Sequence, residues 1–242
     1  MKILVGYIKK ERQELKKVKD KVYREVFMKK EENVIRYYVL CNKLKNVIRT
    51  GWKDWNVQRD RVESVAEHVY SVQMLAIAMY SEYQYDNVDI FKVILMLAVH
   101  ELEEILIGDL TLFQIDKEEK KQKGHEAVEK VLSGLLIKEE ILALILEFDE
   151  EKTPEALFAH YCDKLECDLQ SRLYDEEGCV NINNQPGNIS IKDPRVKKRL
   201  IGGMSFSEMW LDFSREIHNF DENFEAVSQY ASKHKIKKLA GE

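Results

Sequence analysis

Only three prolines and ten glycines interrupt a chain of 242 residues. Both residues break helices, so their scarcity argues for long helices over a turn-rich chain. The four cysteines (Cys41, Cys162, Cys167 and Cys179) form neither a Cys-x-x-Cys pair nor a Cys/His zinc-finger spacing. So few thiols in so long a chain predict reduced cysteines in a cytoplasmic protein rather than a disulfide framework. No segment approaches the roughly 18 apolar residues that would span a bilayer, and the apolar start Met1–Ile8 is too short for a secretory signal. Basic residues (38) are outnumbered by acidic ones (43), a formal net charge of −5. That balance argues against non-specific binding to a nucleic acid polymer.

The chain is 45% apolar and 33% charged, a soluble and charge-rich composition. With no linker-like tract, residues 1–242 read as a single domain, large enough to bury roughly 70–75% of the unfolded surface. Leu15, Val18, Val22 and Val26 give residues 9–31 an amphipathic helical period, and a second period runs over 32–49 to Gly51. After a polar, aromatic loop at 50–62, Ser64 and Glu67 form a capping-box pattern. A third helix follows through Val69, Val72 and Met79. Asp89 is placed to cap an apolar helix running through Val93 and His100 to Leu106, with Gly108 ending it.

Helices are also expected over 117–134 and 138–149, and from Thr153-Pro154-Glu155 to about Asp175. Residues 176–203 read as a long irregular loop of the kind that serves as a lid or a dimer contact. Helices over 205–219 and 222–237 close the chain. The expected fold class is all-α, a single-domain helical bundle without a convincing strand.

Four metal-friendly side chains stand out: His68, the adjacent pair His100-Glu101, and Asp163. Taken singly, each reads as an ordinary helix residue with a locally paired side chain. Together they form a mixed N/O set suited to a borderline or hard divalent cation. The run Val93–Leu106 is apolar enough that burying His100 and Glu101 without partners would cost several kcal/mol. On a continuous helix His100 and Glu104 share a face one turn apart, with Glu101 rotated by about 100°. Glu104 then stands where a general acid/base would be needed, and Asp109 follows the helix stop at Gly108. His160 reads as a partly exposed helix histidine. The lysine-rich runs 117–123 and 233–238 read as solvated faces.

The order His, His-Glu, Asp on helices resembles the HD-domain metal-dependent phosphohydrolases. The flanking segments are similar to the branch that contains the 5′-deoxynucleotidases. These segments are Arg49-Thr50-Gly51-Trp52, Asn56-Val57-Gln58-Arg59 and Glu63-Ser64-Val65-Ala66-Glu67-His68, with the run His100 to Thr111. The resemblance covers roughly residues 35–175, an HD-like core on which the helix at 9–31 and the helices over 205–237 would pack. It departs at position 101, where Glu replaces the signature Asp and lengthens the side chain by one methylene.

Carried over residue by residue, the resemblance implies one divalent metal ion (Mn, Co, Mg or Zn) on His68, His100, Glu101 and Asp163. It implies catalytic roles for Glu104 and Asp109, and substrate binding by Arg49, Trp52 and Asp109. The expected activity is release of phosphate from a small nucleotide, most of all a deoxynucleoside 5′-monophosphate, by a homodimer. Packing is the alternative role for Trp52 and Trp55. A regulatory protein that holds metal or nucleotide with little turnover, or a hydrolase of another nucleotide, uses the same residues.

Overall fold

The computed structural model describes residues 16–17, 30–111 and 114–241. The helix expected over 9–31, with Leu15, Val18, Val22 and Val26, therefore lies almost wholly outside the described residues. In place of one helix over 32–49, the chain forms α1 over residues 30–41 and a 3-10 turn Asn42–Asn46. It then runs extended through Ile48, which bridges antiparallel to Ser64. Cross-chain bonds replace helical ones here: Arg49 N–H donates to Glu63 O (3.1 Å) and Val65 N–H to Val47 O (2.8 Å). The expected loop at 50–62 opens with a short helix, α2 (Thr50–Asp54).

The capping box on Ser64 and Glu67 is present and starts α3 (Val65–Tyr83). Asp89 caps α4 (Ile90–Val99) by accepting from the N–H groups of Phe91 and Lys92. The expected continuation to Leu106 does not form. The chain tightens after Val99 into three-residue turns, with Leu102 N–H donating to Val99 O and Glu104 N–H to Glu101 O, both 3.2 Å. A short α5 (Glu104–Ile107) follows and stops at Gly108, whose φ of 74° suits a residue without Cβ.

Asp116 caps α6 (Lys117–Val131). Next come α7 (Lys138–Glu150) and α8 (Pro154–Glu176), where Thr153 caps a helix with proline in its first turn. The expected loop over 176–203 holds two further elements, a 3-10 turn Ser190–Lys192 and α9 (Pro194–Ile201). Pro194 is the first-turn proline of α9, behind the capping Asp193. A second capping box, Ser205 with Glu208, opens α10 (Phe206–His218). The last long helix, α11 (Glu222–Lys233), ends at an extended His234 rather than running to 237.

No strand is formed among the described residues, and no helix of theirs is long and apolar enough to cross a membrane. Helix α8 is the axis of the structure and packs against α3, α4, α7, α10 and α11. Its buried residues include Phe158, Cys162, Leu165 and Tyr174, together with the polar Asp163, Glu166 and Asp168. One apolar core joins α3, α4, α8 and α11 around Val72, Met96, Leu165 and Phe224. Emptying such a site, as in Leu165→Ala, costs roughly 2–5 kcal/mol. A second core lies beneath α5, α6 and α7. The third gathers Trp52, Trp55, Tyr174 and Phe206.

Candidate active site

Three helices deliver the four metal-friendly side chains to one point. α3 contributes His68 from its first turn, the end of α4 and the turn after it contribute His100 and Glu101, and α8 contributes Asp163. All four are buried, and one ligand atom from each lies within 4.8 Å of the others. His68 Nε2 is 3.0 Å from Asp163 Oδ1 and 3.7 Å from Glu101 Oε1. His100 Nε2 is 3.6 Å from Glu101 Oε1 and 3.9 Å from Asp163 Oδ1. Donors each roughly 2.1 Å from a shared ion sit about 3–4 Å apart, so this set fits a single divalent cation.

The imidazoles support the fit. Leu97 O accepts from His100 Nδ1 at 2.8 Å, which puts the ring proton on Nδ1 and a lone pair on Nε2. That Nε2 is buried and has no hydrogen-bond partner among the described residues, an orphan that a cation would satisfy. Burial also lowers the pKa of His100. On His68, Nδ1 lies 2.6 Å from Glu166 Oε2, and Nε2 is left to face the cluster.

The carboxylates are held ionised. Burial alone would raise Asp163, but Lys164 and His68 hold it well below the usual range. Lys164 Nζ lies 2.6 Å from Asp163 Oδ2. Burial is likewise outweighed at Glu101, where His100, Arg49 and His68 hold the pKa at about 2.

His100, Glu101 and Glu104 all line one cavity. Glu104 is 2% exposed, and its Oε2 has no partner among the described residues. Burial and the charges of Glu101 and Asp109 push its pKa well above the ordinary carboxylate value, against Lys120 and Arg49. Arg49 reaches the same place, with Nη1 3.2 Å from Glu101 Oε1 and Nη2 donating to Cys167 Sγ at 2.8 Å. Asp109 fixes the segment that carries Arg49: its Oδ2 accepts from Thr50 N–H at 2.5 Å, and its carbonyl from Thr50 Oγ1 at 2.7 Å.

Trp52 lines the same cavity but is only 2% exposed. Its indole N–H donates to Glu63 Oε2 at 2.6 Å, and its ring packs on Tyr174 and Trp210. The cavity itself has a volume of about 650 Å³, within the range of small-molecule sites.

The HD-domain family model matches residues 41–193, a span that contains the whole cluster. The chain belongs to the HD-domain family. It is 34% identical over 152 residues to the 5′-deoxynucleotidase HDDC2 of Dictyostelium discoideum, covering 60% of this chain and 79% of that one. The HDDC2 enzyme of Xenopus laevis is 33% identical over 162 residues, covering 65% and 75%. A conserved hypothetical protein of Pyrococcus furiosus has a similar structure at a TM-score of 0.53 and 27% identity, covering 70% of this chain and 97% of that one. A protein of Magnetospirillum magnetotacticum, described as a predicted metal-dependent phosphohydrolase, shares the fold at a TM-score of 0.58 and 19% identity, covering 87% and 97%. These relatives place the chain in the 5′-deoxynucleotidase-like branch of the HD-domain family.

Several residues of this HD-domain site escaped the sequence reading. Glu166 lies three residues after Asp163 on α8, a spacing that could have marked it. Lys120 belongs to the run read as a solvated face, yet its ammonium donates to Leu110 O at 2.9 Å and stands 3.9 Å from Glu104 Oε1. Cys167 carried no signal at all. His160 is half-buried and stacked on Phe148 at 3.9 Å, its Nε2 held by Phe148 O at 2.8 Å.

Proposed function

We propose that the chain hydrolyses the phosphate ester of deoxynucleoside 5′-monophosphates, with His68, His100, Glu101 and Asp163 holding one divalent ion, Mn, Co, Mg or Zn. The observation that carries this reading is the convergence of four buried donors, with Glu104 lining the same cavity. A cation held there supplies charge that polarises a phosphoryl oxygen, makes a water more acidic and draws Glu104 toward ionisation.

The protein's own groups do the rest. Glu104 Oε2, otherwise unsatisfied, takes the proton of the attacking water and returns it to the departing 5′-oxygen as the P–O bond breaks. Arg49, whose guanidinium stays charged among Glu101, Asp109 and Asp163, neutralises phosphate oxygens. Asp109 holds Thr50, and so Arg49, in place, and as part of the cavity wall it also contacts substrate. Trp52 acts through shape, as a wall of the cavity, because its N–H is already bonded to Glu63.

The longer Glu101 is compatible with turnover, since the tightened turn after α4 carries its carboxylate into the donor set. The test is phosphate release from a panel of nucleoside monophosphates by metal-loaded protein. Release from deoxynucleotides over ribonucleotides is the expected result, and none from any of them removes the reading.

A second copy of the chain is a proposed partner. Val34, Ile35, Tyr38 and Val39 leave an apolar strip exposed on α1, and light scattering on Ile35→Asp beside the parent tests the homodimer. The four free thiols support a cytoplasmic location.

A further inference from the structure

The cavity that holds the metal-friendly cluster extends past it to a second carboxylate on α8. Asp168 lines this cavity, yet it is completely buried; neither of its oxygens makes a well-formed hydrogen bond among the described residues, with only a loose contact from the Ser214 side chain. A carboxyl removed from water without partners is destabilising, and native proteins rarely tolerate one without a reason.

Its surroundings come from α10, which packs along α8. Ser214 and Arg215 are its polar neighbours, and Trp210, Phe213 and Ser214 line the cavity with it. Asp168 lies five positions after Asp163, about 7.5 Å along the helix axis. Asp168 is also turned by roughly 140° around α8 from Asp163, and the cavity reaches both, so a phosphate held at Arg49 and the cluster leaves room for its nucleoside to extend toward Asp168. Trp210 and Phe213 bring aromatic surface to this part of the cavity, of the kind against which a planar base packs.

We propose that Asp168 and Ser214, with the rings of Trp210 and Phe213, form the subsite for the nucleobase, binding a base edge that presents a hydrogen-bond donor next to an acceptor. The proposal rests on the reading of this site as a nucleotide phosphohydrolase, and adds which residues hold the base. Burial raises the Asp168 carboxyl well above its ordinary range. A neutral acid donates through O–H and accepts through C=O. That pair complements the amidine edge of adenine or cytosine and, turned over, the amide edge of thymine or guanine.

Binding of the free nucleosides deoxyadenosine and thymidine, which carry no phosphate, tests the subsite by calorimetry, with inorganic phosphate measured beside them. Asp168→Leu removes both polar atoms at similar volume, and is expected to weaken nucleoside binding about tenfold or more while phosphate binding stays within about threefold. Asp168→Asn keeps one donor and one acceptor and is expected to stay close to the parent. Ser214→Ala is expected to weaken the nucleosides in the same direction by a smaller factor, and serves should the leucine variant fail to fold.

Nucleoside binding that is unchanged in Asp168→Leu, or absent in the parent, overturns the subsite. So does an equal loss of nucleoside and phosphate affinity, which would mark a structural role. Phosphate release from deoxynucleotides is scored separately. A failed subsite with intact turnover, and an intact subsite without turnover, are therefore distinct results.

Discussion

Glu166 Oε2 lies 2.6 Å from His68 Nδ1, while the opposite nitrogen of that ring faces Asp163 at 3.0 Å. This carboxylate fixes both the tautomer and the tilt of the imidazole without entering the donor set around the site. Outer partners of this kind typically alter metal affinity 10–100-fold when removed. Glu166→Gln is therefore expected to weaken divalent-ion binding by about 10–100-fold, and excess metal should restore most of the phosphate release. Titration with a metal-sensitive dye gives the affinity. Affinity within twofold of the parent would show that the contact is only structural.

His100 separates loss of metal from loss of packing. Its Nε2 has no partner among the described residues, whereas both nitrogens of His68 are engaged by carboxylates. His100→Ala should thus lose bound metal and activity, while the metal-free protein loses less stability than the His68 variant. His68→Ala leaves Glu166 and Asp163 as buried charges without their imidazole, a loss of about 3–5 kcal/mol. Elemental analysis and calorimetry on both variants check the contrast. Retention of metal by His100→Ala would remove His100 from the donor set.

How much of this was visible in the chain differs from residue to residue. The caps at Ser64, Asp89 and Thr153 announce their helices because a side-chain oxygen before an apolar period has few other uses. His68, His100, Glu101 and Asp163 could be picked out through their resemblance to a family pattern. The break after Val99 could not, since nothing in Val-His-Glu-Leu opposes helix locally. There the tertiary arrangement around the buried polar cluster overrides propensity. Lys120 and Glu166 were hidden for a different reason: each acts through a residue far away in sequence, 16 and 98 positions from Glu104 and His68.

Metal removal should be visible in stability as well as in turnover. An ion that binds the folded chain alone raises stability by about 2.7 kcal/mol at one hundred times its dissociation constant. For a chain of this size that corresponds to a rise in Tm of about 5–11 °C. Dialysis against chelator should therefore abolish phosphate release and lower Tm, with both restored by Mn²⁺ or Co²⁺. A melting curve that ignores metal over a wide concentration range would count against a site formed by these donors.

Glu104 combines a catalytic assignment with a stability cost, and one variant tests both. Its pKa in the folded, metal-free protein is raised well above 4.5 by burial and by the Glu101 and Asp109 charges. The unfolded chain ionises this group above pH 4.5 while the fold still holds the proton, so stability contributed by it falls as pH rises from there toward the folded value. Glu104→Gln keeps the shape and removes the titration. At pH 8 the metal-free variant is expected to melt above the parent, with the gap closing near pH 4.5, where both proteins carry a neutral group. Phosphate release should fall by about 10²–10⁴ with bound metal retained, the range for loss of a general acid/base. Equal turnover in the two proteins would overturn the catalytic role, and a Tm gap that does not narrow toward acid would overturn the raised pKa.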